Sequence, residues 1–197
     1  MDDRRRYRAA GDEVGCASAV GPIVTCVVVA TGPVRFHPLV RDSKTLSPQQ
    51  RERVVDWAKS QNRLVWAYGA ASHREADRYG MIRARALAFD RAVARLPFAP
   101  DELVILIDGD RLPVSFRARF VPKADATDQL CALASILAKT LRDALLTRLS
   151  VFFPGYGWER NKGYLTKEHI DALRTLGPTR LHRWRHIDSI VQPTLLL

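Results

Sequence analysis

Cysteine is scarce in this chain: Cys16, Cys26 and Cys131 are the only three, and no two stand in a CxxC spacing. That excludes a disulfide scaffold and a thiolate zinc site, and it suits a reducing, cytoplasmic compartment. Long apolar runs are also missing. The longest, Ile23 to Ala30, is far short of a bilayer span. The first residues, MDDRRRYRAAGDE, contain no apolar stretch, so no secretory leader is expected. There is no internal repeat, no low-complexity segment and no linker long enough to divide the chain. Acidic residues are outnumbered, 21 against 31 Lys and Arg, for a net charge of +10. Arg dominates that excess, and its planar fork suits phosphate, so an anionic partner is favoured, nucleic acid first. The same balance would arise in an Arg-rich proteome with no such partner.

What is present is an ordinary globular composition. At 197 residues and 47% apolar, the chain can bury a core in one domain, with or without a small appendage. Tyr7 to Ala10 reads as a strand. Ile23 to Ala30, apolar on both faces and rich in β-branched residues, reads as a central strand stopped by Thr31-Gly32-Pro33. Ser47 and Pro48 open a helix to about Gln61, with Val54, Val55, Trp57 and Ala58 on its buried side. Leu64 to Ala70 is a short strand. A helical stretch from Ser72 to Leu96 is broken at Gly80. Leu103 to Ile107 reads as a second fully buried strand, and Phe116 to Val121 as an edge strand. A long apolar helix is expected from Asp128 to about Phe152, then an aromatic, glycine-rich and basic segment to Tyr164. A short helix from Lys167 to Leu176 and a basic tail through His182, Arg183, Arg185 and His186 complete the order. Strands alternating with helices predict a single α/β layer structure.

Carboxylates recur where these strands end. Asp12 and Glu13 follow the first, Asp108 follows Leu103 to Ile107, and Asp125 lies in the loop before the long helix. Acidic pairs are disfavoured in strands and repel each other, so Asp12-Glu13, framed by Gly11 and Gly15, is either a metal site or a solvated turn. Strand ends of an open α/β sheet converge on one edge. Four carboxylates meeting there cannot all stay ionised without cations, and two divalent ions about 4 Å apart resolve the conflict. Oxygen ligands select Mg²⁺ or Mn²⁺ over Zn²⁺. The chemistry of such a pair is in-line displacement at phosphorus. Lys44, Lys123, Lys139, Arg142, Lys162 and Tyr164 are basic and aromatic groups suited to a nucleic-acid backbone. Ser135, Lys139 and Arg142 fall at i, i+4 and i+7, one stripe of the long helix, expected on the substrate side.

The blocks GDEVG and GP, DSKTLS, ADRYGMIRARALAFDRAV, VILIDG, PKAD, ALASILAKTLRD, YGWERNKGYLTKEH and LGPTRLHR resemble the ribonuclease HII family in order and spacing, across about residues 8 to 186. The resemblance implies an α/β, RNase H-like fold: a mixed central sheet flanked by helices, with a helical and basic C-terminal extension. The whole chain would be one domain, its core at about residues 7–152 and a substrate-binding extension at about 153–197. The implied activity is endonucleolytic cleavage of the RNA strand of RNA–DNA hybrids, and beside ribonucleotides embedded in duplex DNA, leaving 3′-hydroxyl and 5′-phosphate ends. The family's four metal-binding carboxylates fall on Asp12, Glu13, Asp108 and Asp125. Its deoxyribose-packing tyrosine falls on Tyr164, and its block lysines on Lys44, Lys123, Lys139 and Lys162.

The departures concern the substrate reader. The family's Gly-Arg-Gly, whose backbone meets the 2′-hydroxyl and whose arginine holds the junction phosphate, is here Gly15, Cys16 and Ala17. Losing that arginine removes a charge-assisted contact of roughly 1.5–3 kcal/mol. Ala17 would restrict the backbone if its position needs positive φ. Ser18 stands for a usual proline and Leu165 for a usual glycine. The expected consequence is a preference for runs of ribonucleotides over a lone one. The alternative is a non-catalytic or altered-specificity nucleic-acid-binding homologue with impaired junction recognition.

Several other groups have structural readings. Asp42 is expected to cap a turn, Asp110 to be solvated, Asp77 to serve packing or capping, and Asp143 to pair with Lys139. His169 and His182 are expected to be structural, and Cys16, beside two acids, not to be a nucleophile. The terminal Gln192-Pro193-Thr194-Leu195-Leu196-Leu197 faintly resembles a sliding-clamp-binding peptide.

Overall fold

The computed structural model describes residues 6–191. The clamp-like segment 192–197 lies outside the described residues. Five strands form one mixed sheet, β1 (Tyr7–Val14), β2 (Ile23–Ala30), β3 (Leu64–Ala71), β4 (Leu103–Asp108) and β5 (Ala118–Val121), in the spatial order β3-β2-β1-β4-β5. The pairs β1/β2 and β2/β3 are antiparallel, and β1/β4 and β4/β5 are parallel. As expected for an α/β layer fold, helices cover both faces. The long helix α4 (Gln129–Phe152), flanked by α1 (Pro48–Lys59), packs on one face around Ala10, Cys26, Val28, Leu133 and Leu137. On the other face α3 (Met81–Val93), preceded by the short α2 (His73–Tyr79), packs around Val27, Val29, Phe89, Ile105 and Ile107. Gly69 is needed at this second interface, since a Cβ there would lie 1.9 Å from the Ala88 carbonyl oxygen.

Helix starts follow local chemistry. Ser47 caps α1 and Ser72 caps α2 through reciprocal capping boxes with Gln50 and Glu75, and Asp128 caps α4 by accepting from the Leu130 and Cys131 amides. Gly80 separates α2 from α3 at φ +78°, which a glycine adopts without steric cost. The helix expected to Gln61 ends at Lys59, and the edge strand expected from Phe116 begins at Ala118.

Three differences from the sequence reading matter. β1 runs on to Val14, so Asp12 and Glu13 lie within the strand, because β2 pairs with it as far as Val14–Val24. β4 is not fully buried: Val104 is 55% exposed, near the end of the strand that the helices leave uncovered. The C-terminal segment is more regular than a basic tail. Besides the expected short helix, α6 (Lys167–Leu176), it forms α5 (Trp158–Asn161) before it and α7 (Trp184–Val191) after it.

These three helices share a second core with the end of α4, built from Val20, Leu146, Tyr156, Trp158, Leu173 and Ile187. His169 and His182 are both buried in it, their Nε2 atoms 3.1 Å apart, and Trp158 Nε1 donates to His169. They are structural, as expected. Burial lowers both imidazoles, that of His182 to about 4, the charge of His169 adding to the shift. Asp77 also serves structure, accepting from the Trp184 and Arg185 amides at the start of α7.

Candidate active site

Strand register brings the acids together. Parallel pairing sets Gly11 opposite Ile107, so the next residues, Asp12 and Asp108, stand side by side at one edge of the sheet. Alternation along a strand then decides which way each points. Asp12 shares the α4 face with Ala10, while Glu13 takes the α3 face with Ala9 and Gly11. Asp125 arrives from a single 3₁₀ turn, Ala124–Ala126, that precedes α4. The Ala124 amide in that turn donates to Asp108 at 2.6 Å and fixes the two relative to each other. Asp12, Asp108 and Asp125 each offer an oxygen within 4.8 Å of the others.

Glu13 stands behind this trio. Its Oε1 accepts from Arg85 of α3 at 2.5 Å and is approached by the Cys16 thiol at 3.7 Å. Its Oε2 is buried and unpartnered. Burial pushes the Asp12 carboxyl up to about 7, with Glu13 and Asp108 adding repulsion and Ser135 opposing it. Burial also raises Glu13, against the lowering pull of Arg85, and raises Asp125, with Asp108 and Asp42 adding to it. Buried like charges and an orphaned carboxylate oxygen fit an oxygen-only site for a hard divalent cation.

These acids floor a cleft of about 670 Å³ whose other walls include Gly15–Ala17, Ser43, Lys44, Ser135, Lys139, Lys162 and Tyr164. Ser43 and Ser135 are hydrogen-bonded at 2.9 Å, joining the turn after Asp42 to α4. Asp42 caps that turn by accepting from the Lys44 amide, and Asp110 is exposed, both as expected. Lys139 pairs with Asp143 at 2.8 Å and lies 6.0 Å from the Tyr164 ring centre. Arg51, unnoticed in the sequence, clamps the same Asp143 at 3.3 Å. Lys162 adopts φ +52° and donates to Thr147 and the Glu159 carbonyl. Lys123 is exposed in a left-handed conformation two residues before Asp125, and it is not among the residues lining the cleft.

One placement is corrected, and the condition set on Ala17 is not met. Arg142 does not face the substrate. It is fully buried, and its guanidinium donates to the carbonyls of Val20, Pro22 and Lys162. It shares a stripe with Ser135 and Lys139, but seven residues advance about 10 Å along a helix. Asp143, the next residue, still lines the cleft, but the Arg142 side chain turns away from it onto the Val20–Pro22 segment and the Lys162 carbonyl. Ala17 carries no backbone strain, because Lys123 and Lys162 are the only non-glycine residues with positive φ among those described. Gly15, at φ +92°, is the position in this loop that requires glycine. The Cys16 thiol is raised to about 12 by burial and the charge of Glu13, which removes it as a nucleophile.

The family model for ribonuclease HII matches residues 10–189. The chain belongs to the ribonuclease HII family. It is similar to a ribonuclease HII of Thermus thermophilus, 45% identical over 174 residues that cover 88% of this chain and 83% of the relative. The Pelagibacter ubique enzyme is 37% identical, with 87% of this chain and 91% of the relative covered. Membership makes the chain a metal-dependent ribonuclease H-type endonuclease, a hydrolase of phosphodiester bonds. The fold agrees. A ribonuclease H2 from Pyrococcus horikoshii superposes with a TM-score of 0.74 at 24% identity, covering 94% of this chain and 97% of its own. The ribonuclease HII in a complex with PCNA from Archaeoglobus fulgidus gives 0.75 at 23%, with 91% and 94% covered. A Bst-RNase HIII solved with Mn²⁺ gives 0.60 at 17%, with 96% and 72% covered.

Asp12, Glu13, Asp108 and Asp125 line the cleft together with Gly15–Ala17, Tyr164 and Lys139. Arg85, which braces Glu13, escaped the sequence reading because it sits on an amphipathic helix where an arginine is unremarkable. Only the outward turn of Glu13 in β1 reveals its role.

Proposed function

We propose that this cleft cuts the RNA strand of RNA–DNA hybrids, and ribonucleotides embedded in duplex DNA, leaving 3′-hydroxyl and 5′-phosphate ends. The observation that carries this reading is the convergence of Asp12, Asp108 and Asp125 within 4.8 Å beside a basic and aromatic wall. Two divalent cations, Mg²⁺ or Mn²⁺, would supply a nucleophile at neutral pH and stabilise the leaving oxygen. Asp12, Asp108 and Asp125, with Glu13 beside them, would hold these ions. The free Oε2 of Glu13 supports its share in this set.

Tyr164, 36% exposed at the rim, offers a ring face for a sugar, and Lys139, Lys44 and Lys162 offer charge to phosphates. Lys123 would serve the backbone outside the cleft. Gly15, Cys16 and Ala17 present backbone to the substrate, and the amides of Cys16 and Ala17 have no partner among the described residues. The C-terminal helices 153–191 act as the substrate-binding extension of a single domain. With Cys16 replacing the family arginine, runs of ribonucleotides are preferred over a lone one. A cytoplasmic setting suits three unpaired thiols. Gln192–Leu197 would be the site of a sliding-clamp contact.

Four 5′-labelled duplexes test this reading with Mg²⁺ and then Mn²⁺: a hybrid, a DNA duplex with four ribonucleotides, one with a single ribonucleotide, and an all-DNA duplex. Cutting of the first two and weak cutting of the third is the expected pattern, lost in Asp108→Asn while hybrid binding persists. Equal or better cutting at the single ribonucleotide would sink the specificity reading, and cutting of all-DNA duplex would sink the substrate class.

A further inference from the structure

Two buried guanidiniums lie directly behind the loop that faces the substrate. Arg142 of α4 donates from Nε to the Pro22 carbonyl at 3.1 Å and from its two terminal nitrogens to Lys162 at 3.1 Å and Val20 at 2.9 Å. Arg183, just before α7, donates from Nη1 to the carbonyls of Gly15 at 2.6 Å and Cys16 at 3.1 Å. Its Nε and Nη2 both reach Gly21, at 3.1 and 2.9 Å. Both side chains are fully buried, and neither forms an ion pair among the described residues. Six carbonyls, of Gly15, Cys16, Val20, Gly21, Pro22 and Lys162, therefore converge on two positive charges that no carboxylate touches among the described residues.

This arrangement is expensive unless the charges do something. Buried arginines normally pair with carboxylates, and burial lowers both of these, Arg183 to about 10 with the charge of Arg142 adding to it. A value of about 10 still leaves Arg183 protonated at neutral pH. Carbonyls drawn inward hold the opposite edge of the same peptides, with the Cys16 and Ala17 amides, free of protein partners. Gly15 fits this packing closely. A Cβ there would lie 2.1 Å from Arg142 Nε. The same Arg142 also grips the Lys162 carbonyl, two residues before Tyr164, so one side chain ties Val20–Pro22, the segment that follows the reading loop, to the sugar-facing turn.

We propose that Arg142 and Arg183 are positioning residues for nucleic-acid binding: they fix the backbone of Gly15–Ala17 and the Tyr164 turn in register, and place fixed positive charge behind a loop that has no arginine of its own. This rests on the reading of Gly15–Ala17 and Tyr164 as substrate-contacting. Neither arginine touches substrate or metal.

The test uses Arg183→Lys, which keeps charge but loses the fork, and Gly15→Ala, whose methyl both displaces Arg142 without removing it and strains the loop at φ +92°. Hybrid affinity is read by fluorescence anisotropy in an Asp108→Asn background. KM, kcat and the Mn²⁺ half-saturation are read in the active background. The expected result for either variant is a KM and a Kd for hybrid raised about tenfold, the scale of one lost charge-assisted contact, with kcat and Mn²⁺ half-saturation within about twofold. Unchanged Kd in a folded Gly15→Ala would overturn the proposal, as would kcat and metal half-saturation shifting together with KM in both variants. Tyr164→Ala separates the substrate surface from the arginines that position it. If it too leaves hybrid affinity unchanged, the substrate surface itself is misassigned. If it weakens binding while Arg183→Lys and Gly15→Ala do not, only the positioning role fails.

Discussion

Arg85 holds one oxygen of Glu13 at 2.5 Å and leaves the other buried without a partner. Adjacent residues of a strand point to opposite faces, so Asp12 and Glu13, contiguous in sequence, address the cleft from different directions. Asp12 joins Asp108 and Asp125, whereas Glu13 leans on a cation supplied by α3. The protein thus carries part of its own charge compensation at the acidic cluster.

Removing that cation should make the fold lean on an added one. Arg85→Met leaves a buried carboxylate unpaired, and breaking such a pair costs about 3–5 kcal/mol. The melting temperature of the metal-free protein should fall. The rise in Tm on adding Mn²⁺ should be larger in the variant than in the parent. Thermal melts with EDTA and with Mn²⁺ decide it, and an equal metal-induced shift in both proteins counts against compensation by Arg85.

Asp12 should tie metal binding to pH. Its carboxyl is raised from 3.8 to about 7, so the folded metal-free protein binds a proton that the unfolded chain has released between those values. This group therefore costs stability as pH rises from about 4 to 7, by at most about 4 kcal/mol above that range. Asp12→Asn should be more stable than the parent at pH 8 in EDTA and lose that advantage at pH 4. Urea midpoints at the two pH values measure it. In the parent, displacing that proton should weaken Mn²⁺ binding by roughly tenfold per unit below pH 7.

Restoring the missing arginine should need one substitution. Ala17 sits at ordinary φ, so it imposes no strain, and Cys16 already projects toward Glu13. Cys16→Arg alone is expected to raise cutting at a lone ribonucleotide relative to a run by about tenfold or more, the scale of a charge-assisted phosphate contact. Adding Ala17→Gly should bring little further gain. The ratio of initial rates on the two duplexes reads this directly, and a large extra gain from Ala17→Gly would contradict the loop geometry.

The histidine pair makes the C-terminal core acid-sensitive. His182 is held neutral, its imidazole lowered from 6.5 to about 4, and His169 is lowered too. The unfolded chain takes up protons first as pH falls through 6.5, so stability drops between pH 6.5 and about 4. His182→Gln should be less stable than the parent at pH 7.5, since it loses the contacts to His169 and Thr179, yet should show a shallower decline toward pH 4. Denaturation midpoints across that range test it.

Much of this molecule can be read in its sequence because the signals are local. Ser47-Pro48, Ser72 and Asp128 mark their helix starts by short-range hydrogen bonds, and the β-branched run from Ile23 to Ala30 marks a strand covered on both faces. The ordered blocks from Gly11 to Arg183 carry the family, and with it the four carboxylates. Tertiary structure decided the rest, because direction and partnership depend on what packs behind a side chain. Helical periodicity places Arg142 on the stripe of Ser135 and Lys139, but only the C-terminal helices turn it inward onto carbonyls. A basic tail gives no sign that Arg183 returns across more than 160 residues to hold Gly15. Acid pairing in sequence likewise says nothing of the alternation that sends Asp12 to Asp108 and Asp125 and Glu13 to Arg85. Residue type sets what chemistry a side chain can do, whereas register and burial set which neighbour it does it with.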